Sequence, residues 1–173
     1  MGAEENESFT HFVSVEQAGL LRLAVLLAGD RGQAEDLVQT ALMKSYRHWG
    51  RITRSGTPSA YVRRVLVTTH TSWRRRLSST EQVMAVLPDP ADPHGELEAE
   101  DEDLRRALRA LPPRMRASVV LRFYEDLSEQ RTAELMGCSA STVNTQTARG
   151  LERLRTALAA HTTTNATVRE EGL

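Results

Sequence analysis

Residues 128–149 read SEQRTAELMGCSASTVNTQTAR, and the fold follows from this stretch. Ser128 stands where a helix begins, and a hydroxyl there can accept from an otherwise orphaned backbone N–H. Residues 129–136, with Ala133 near their middle, are expected to form a short helix. Gly137 then suits the left-handed turn that ends such a helix, a conformation that residues with a Cβ resist. Ser139 caps a longer helix, residues 140–159, with Val143, Thr147, Leu151, Leu154 and Leu158 turned inward at helical spacing. Cap, short helix, glycine turn, cap and longer helix make a helix-turn-helix, whose second helix enters the major groove of duplex DNA. The outward side of that helix offers Ser141, Thr142, Asn144, Thr145, Gln146 and Arg149, with Ser139 at its start. Asn and Gln suit adenine edges, and Arg suits guanine or phosphate. A plain helical hairpin with a polar face has the same periodicity. The glycine turn, the two caps and the absence of acids from 139 to 151 together favour DNA. The motif alone does not separate one class of DNA-binding protein from another, since repressors and response regulators carry it too.

Outward from this motif the helical period continues. Leu104, Ala107, Leu108 and Leu111 share one face, Pro112-Pro113 interrupts, and residues 114–124 are expected to form the next helix. Nearer the amino terminus, residues 15–28 carry Leu20, Leu21, Leu23, Leu26 and Leu27, and Gly29-Asp30 breaks that helix. Asp30 caps the following segment, residues 31–49, with Gln33 in capping-box position. Residues 50–57 read as a loop. Thr57-Pro58 reads as an N-cap followed by proline in the first turn, opening a helix to Leu77 that buries Tyr61, Val62, Val65, Thr69 and Trp73. Residues 78–103 hold three prolines, a glycine and no sustained period, too long for a loop within one compact domain. The expectation is an all-α chain of two small helical domains, residues 1–77 and 104–160, joined by an acidic flexible linker (78–103) and followed by a Thr-rich, patternless tail (161–173) expected to be disordered.

Charge is segregated along the chain, although its net value is −1. Residues 31–77 carry ten Lys/Arg against two acids, and residues 104–160 carry ten Arg against five acids. Between them, residues 78–103 carry nine acids and no base. Basic blocks attract polyanions, and an acidic strip repels them. Cys138 is the only cysteine, which excludes an intrachain disulfide and a Cys-rich zinc site. In the turn, it reads as a small packed residue rather than a redox switch. No unbroken apolar run reaches the ~18–20 residues that span a membrane, and the start of the chain is acidic where a secretory signal is basic. A cytoplasmic protein without membrane insertion, metal or cofactor is expected.

The helix from Pro58 to Leu77 supplies a second candidate face for nucleic acid. Arg64, Thr68, Ser72 and Arg75 fall on one side, with Arg63, His70, Arg74 and Arg76 nearby. Trp73 sits among them, and Tyr46 and Trp49 end the preceding helix. Cations interleaved with aromatics suit unstacked single-stranded bases. Packing in the core is the other reading of the aromatics, favoured for Tyr46 and Tyr61 and open for Trp49 and Trp73.

Several stretches resemble a known family. Ala34-Glu35-Asp36-Leu37-Val38-Gln39, Ala41-Leu42, Tyr46-Arg47-His48-Trp49 and Tyr61-Val62-Arg63-Arg64-Val65-Leu66-Val67 are similar to region 2 of extracytoplasmic-function sigma factors. LRALPPRMR (108–116), VLRFYEDL (120–127), AELMGCS (133–139) and Thr142-Val143 are similar to region 4. The resemblance covers roughly residues 9–77 and 104–158, and its wording is nearest to an actinobacterial, sigma-E-like subgroup. It implies a promoter-recognition subunit of RNA polymerase. Asp36, Leu37, Gln39, Thr40 and Met43 would meet a coiled coil of the largest core subunit. Trp49, Ile52, Arg64, Thr68, Ser72, Trp73, Arg75 and Arg76 would bind and melt the −10 element, holding a flipped base. Ser139, Ser141, Thr142, Asn144, Thr145, Gln146 and Arg149 would bind the −35 element as duplex, the second domain also contacting the polymerase flap. The linker would run through the polymerase cleft. An anti-sigma factor is an implied partner.

The sequence departs from the family pattern at five of these positions. An acid is usual at Thr40, Asn at Thr68, Asp at Ser72, and basic residues at Asn144 and Gln146. Losing two charges lowers nonspecific affinity and its salt slope, and Asn144 with Gln146 would turn readout toward A·T pairs.

Two other functions would draw on parts of this sequence. A helix-turn-helix regulator that never joins polymerase accounts for residues 104–158 but gives the first domain no role. An enzyme would need an acid/base set such as Glu35, Asp36 and His48, or metal ligands such as His11, His48 and His70. The histidines are scattered, and no HExxH, P-loop or nucleophile elbow is present.

Overall fold

A computed structural model describes residues 2–79 and 99–170. They are helical and turn structure with no strand, and they fall into two compact units. The first unit holds α1 (Ala3–Ala28), α2 (Arg31–Tyr46), α3 (Trp49–Arg54) and α4 (Pro58–Ser79). The second holds α5 (Ala99–Ala110), α6 (Pro113–Val119), a wide π-helical turn (Val120–Tyr124), α7 (Glu129–Met136) and α8 (Ala140–Glu170).

In the first unit, α1 stops at Gly29, whose φ of 76° is left-handed and whose N–H reaches the Val25 carbonyl at 2.8 Å. Asp30 then caps α2, its Oδ2 accepting from the Gln33 N–H at 2.8 Å. Leu20, Leu23 and Leu27 of α1, Leu37, Val38 and Ala41 of α2 and Val62, Leu66 and Val67 of α4 are buried, and these three helices pack on one another. Burying such a side chain contributes about 1.5–3 kcal/mol, which makes this α1–α2–α4 seam the foundation of the unit. By length and apolar composition α1 would qualify as a membrane-crossing helix, which a count of unbroken apolar runs did not indicate. Its Leu20, Leu23, Ala24 and Leu27 are instead buried in the core.

Three helix bounds in this unit differ from expectation. α1 begins at Ala3 rather than near residue 15. Its early turns are held by Phe9 against Tyr46 and Trp49 (ring centroids 4.9 and 5.0 Å apart) and by Phe12 against Trp49 (4.9 Å). α2 ends at Tyr46, and the stretch read as a loop contains α3, because Trp49 and Ile52 both turn into the core.

The second unit is built around the crossing of α6 and α8, which is close. A Cβ on Gly150 would lie 2.7 Å from Val119 Cγ2. Leu108, Leu111, Met115, Leu121, Leu135, Val143 and Leu154 complete its core. The single helix expected over 114–124 is α6 followed by the π-helical turn, which leaves Phe123 and Tyr124 exposed. α5 starts at Ala99, so residues 99–103 are helical although they read as linker. Of the linker, residues 80–98 lie outside the described residues. Of the segment expected as a disordered tail, residues 161–170 are a continuation of α8, and residues 171–173 lie outside the described residues. Once a helix is nucleated, each added residue gains a hydrogen bond, so even a Thr-rich stretch can prolong it.

Candidate nucleic-acid interface

In the second unit the turn is built from the residues that signalled it. Ser128 Oγ accepts from the Arg131 N–H at 3.1 Å, capping α7. Gly137 is left-handed (φ 65°), and its N–H and that of Cys138 both return to the Ala133 carbonyl, the latter at 3.1 Å. The two donors converge on one carbonyl, closing the last turn of α7 and redirecting the chain. Ser139 Oγ accepts from the Thr142 N–H at 3.1 Å and shares a 2.9 Å hydrogen bond with the Thr142 hydroxyl. These two hydroxyls therefore hold the start of α8. Val143 and Thr147 turn inward. Ser141, Asn144, Thr145 and Arg149 are exposed, and Gln146 is half-buried beside them. That face carries no acid between residues 139 and 151, so nothing on it repels a phosphate backbone.

In the first unit, α2 and α4 border a cleft of about 500 Å³ lined by Lys44, Arg47, His48, Tyr61, Thr68 and Ser72, together with Val65 and Thr69. Among the described residues no Asp or Glu lines it. Thr68 donates its hydroxyl to the Arg64 carbonyl at 2.9 Å or the Val65 carbonyl at 3.1 Å, which leaves only its lone pairs for a ligand. Lys44 Nζ donates to Thr69 Oγ1 at 3.0 Å. Arg64, Arg75 and Arg76 are exposed along α4, and Trp73 is half-buried. Burial pushes the Arg74 guanidinium below its ordinary value, so of the three consecutive arginines Arg74 is the one drawn inward.

On α2, Asp36, Gln39 and Met43 are exposed and Thr40 half-buried, one helical stripe with Met43 64% exposed. Three expected site residues do not reach a surface. Leu37 is fully buried, because it lies one position round the helix from Asp36 and joins the α1–α2 seam. Trp49, 2% exposed, is enclosed by Phe9 and Phe12, and its Nε1 donates to Ser8 Oγ at 3.4 Å. Ile52, three residues on, shares that inner side of α3. Lys44, Arg47 and His48 also line the cleft, although none was expected in the DNA-binding set; Lys44 stands in the last turn of α2, and Arg47 and His48 in the turn after it. Among the described residues no group of His, Cys, Asp or Glu gathers as metal ligands do.

Two helical modules, one with a helix-turn-helix and one with a cationic cleft, define a two-module DNA-binding protein. Comparison with known proteins takes this further. The sigma-70 region 2 family profile matches residues 12–80, and the sigma-70 region 4 profile matches residues 101–154. The RNA polymerase sigma-E factor of Streptomyces coelicolor is 39% identical over 153 residues, covering 88% of this chain and 86% of that protein. The sigma factor SigV of Bacillus subtilis is 28% identical over 138 residues, covering 78% of this chain and 81% of that protein. Among solved structures, the sigma factor RpoE of Bartonella quintana, in complex with the anti-sigma factor NepR, superposes with a TM-score of 0.64. At 23% identity, over 88% of this chain and 98% of that one, it speaks for the fold. The chain belongs to the RNA polymerase sigma factors of the sigma-70 family, in the sigma-E-like, extracytoplasmic-function branch.

Proposed function

We propose a residue-level division of labour for this sigma factor. The exposed stripe Asp36, Gln39, Thr40 and Met43 of α2 docks on the coiled coil of the polymerase's largest subunit. Arg64, Thr68, Ser72, Trp73, Arg75 and Arg76 hold the opened −10 strand along α4 and its cleft. Leu37, Trp49 and Ile52 act from beneath these faces, fixing the helices that present them. Ser141, Asn144, Thr145, Gln146 and Arg149 read the −35 duplex, with Ser139 and Thr142 setting the entry of α8. The second unit also meets the polymerase flap. Residues 78–103 run through the polymerase cleft, where their acids face a basic channel that RNA later claims. The chain works in the cytoplasm, performs no chemistry itself and is held in check by an anti-sigma factor.

The observation that carries this reading is the pairing, in one chain, of a recognition helix whose start (residues 139–151) is free of acids with a cationic cleft lined by no Asp or Glu among the described residues. The first suits duplex and the second an unstacked strand. The test is runoff transcription with purified core polymerase on a pooled library of promoters from the source genome. New start sites behind a shared two-element promoter are expected. If core binds nothing while the protein alone still shifts duplex DNA, the helix-turn-helix regulator replaces this reading.

A further inference from the structure

Lys44 is the chain's only lysine; every other strongly basic side chain is arginine. Its ammonium is anchored, reaching from α2 to the hydroxyl of Thr69 on α4 at 3.0 Å. Thr69 is 2% exposed, so this partner is fixed by the core. A neutral hydroxyl orients the ammonium without cancelling its charge. Of the three N–H groups, one is used by Thr69, and two are available to a ligand. Arg47 lies three residues on in the same cleft, Thr68 presents only lone pairs, and among the described residues no carboxylate lines the walls. A compact point charge held this way matches a single oxygen anion better than the planar, forked edge that suits arginine.

We infer that Lys44 is a phosphate-positioning residue: its ammonium seats a non-bridging oxygen of the opened DNA strand and so sets the register in which the neighbouring base reaches Thr68. This rests on the reading that the cleft holds the opened strand. Thr69 acts through Lys44, by aiming it.

The test uses holoenzyme, core polymerase with the full chain, and a forked promoter whose −10 element is single-stranded. Binding is followed by fluorescence anisotropy across a salt series. Lys44→Met keeps the stem and removes the charge. It is expected to weaken binding about tenfold, as loss of a charge-assisted hydrogen bond does. The salt slope should fall by about 0.7, one single-strand phosphate. Lys44→Arg should retain the slope. Thr69→Val should weaken binding by a smaller factor with the slope unchanged, because the charge remains but is no longer aimed. Neutral methylphosphonates, placed one at a time along the single strand, should identify one linkage that matters to the wild type and not to Lys44→Met. Unchanged affinity and slope in Lys44→Met overturn the inference. So does a loss that follows a base analogue at one position while every methylphosphonate is tolerated, since Lys44 would then read a base edge. If the wild-type holoenzyme ignores the forked promoter altogether, the assignment of the cleft to the opened strand falls first, and this inference falls with it.

Discussion

Thr132 and Thr147 bury their hydroxyls beneath the helix-turn-helix with no hydrogen-bond partner among the described residues. An unsatisfied buried donor costs about 1–3 kcal/mol. Thr132→Val keeps the shape and removes the donor, so it should raise stability by about 1 kcal/mol. Thermal unfolding of the full chain would show this as an upward shift of the second unit's transition, while duplex binding stays as it was. On the outer side of α8, Asn144 is exposed and Gln146 half-buried. Asn144→Ala should relax preference at one −35 position, by the ~1–3 kcal/mol that a bidentate base contact contributes. Base-by-base scanning of the element checks it, and unchanged preferences would remove Asn144 from the readout. Gln146→Arg should strengthen binding to all duplexes and steepen the salt slope by about 0.9.

At the scale of elements, the α6–α8 crossing is a close one. Gly150 permits it, since an added Cβ would press on Val119 Cγ2 and approach the Met115 carbonyl at 3.5 Å. Gly150→Ala gains roughly 1 kcal/mol in helix propensity but incurs the ~1–3 kcal/mol of an overpacked contact. A net loss of stability is expected in denaturant titration, with duplex affinity falling as the recognition helix shifts. The sequence made α7 and the start of α8 legible to the residue, because Ser128, Gly137 and Ser139 act through local backbone chemistry. It could not reveal where α1 begins. Residues 3–14 carry no sustained apolar stripe, and the contacts that order them, Phe9 and Phe12 on Tyr46 and Trp49, bridge about forty residues of chain. The same long-range contact is why Trp49 belongs to the core although its aromatic, basic neighbourhood suited a nucleic-acid face. Lys44 escaped notice for a related reason. Its significance depends on Thr69, twenty-five residues away and on another helix.

For the whole molecule, division into two units implies that its binding functions can be removed one at a time. Asp36→Arg reverses the charge of an exposed α2 residue without touching the buried seam. It is expected to weaken binding to core polymerase at least tenfold and to leave the −35 duplex affinity of the free chain unchanged. Co-elution with core and anisotropy on duplex separate the two effects. Loss of both together would show that the units do not act as independent modules.

The solitary lysine has one more consequence, a practical one. Guanidinium groups do not react with ordinary amine-directed reagents, and Lys44 is the only side-chain amine in the chain. An activated ester that reacts with the exposed Lys44 has the amino terminus as its only other target. The native protein therefore accepts a dye or photo-crosslinker at the mouth of the α2–α4 cleft with no engineered cysteine. On the proposal that the cleft holds the opened strand, bound DNA should protect that amine, and the extent of labelling would then be a footprint of promoter opening.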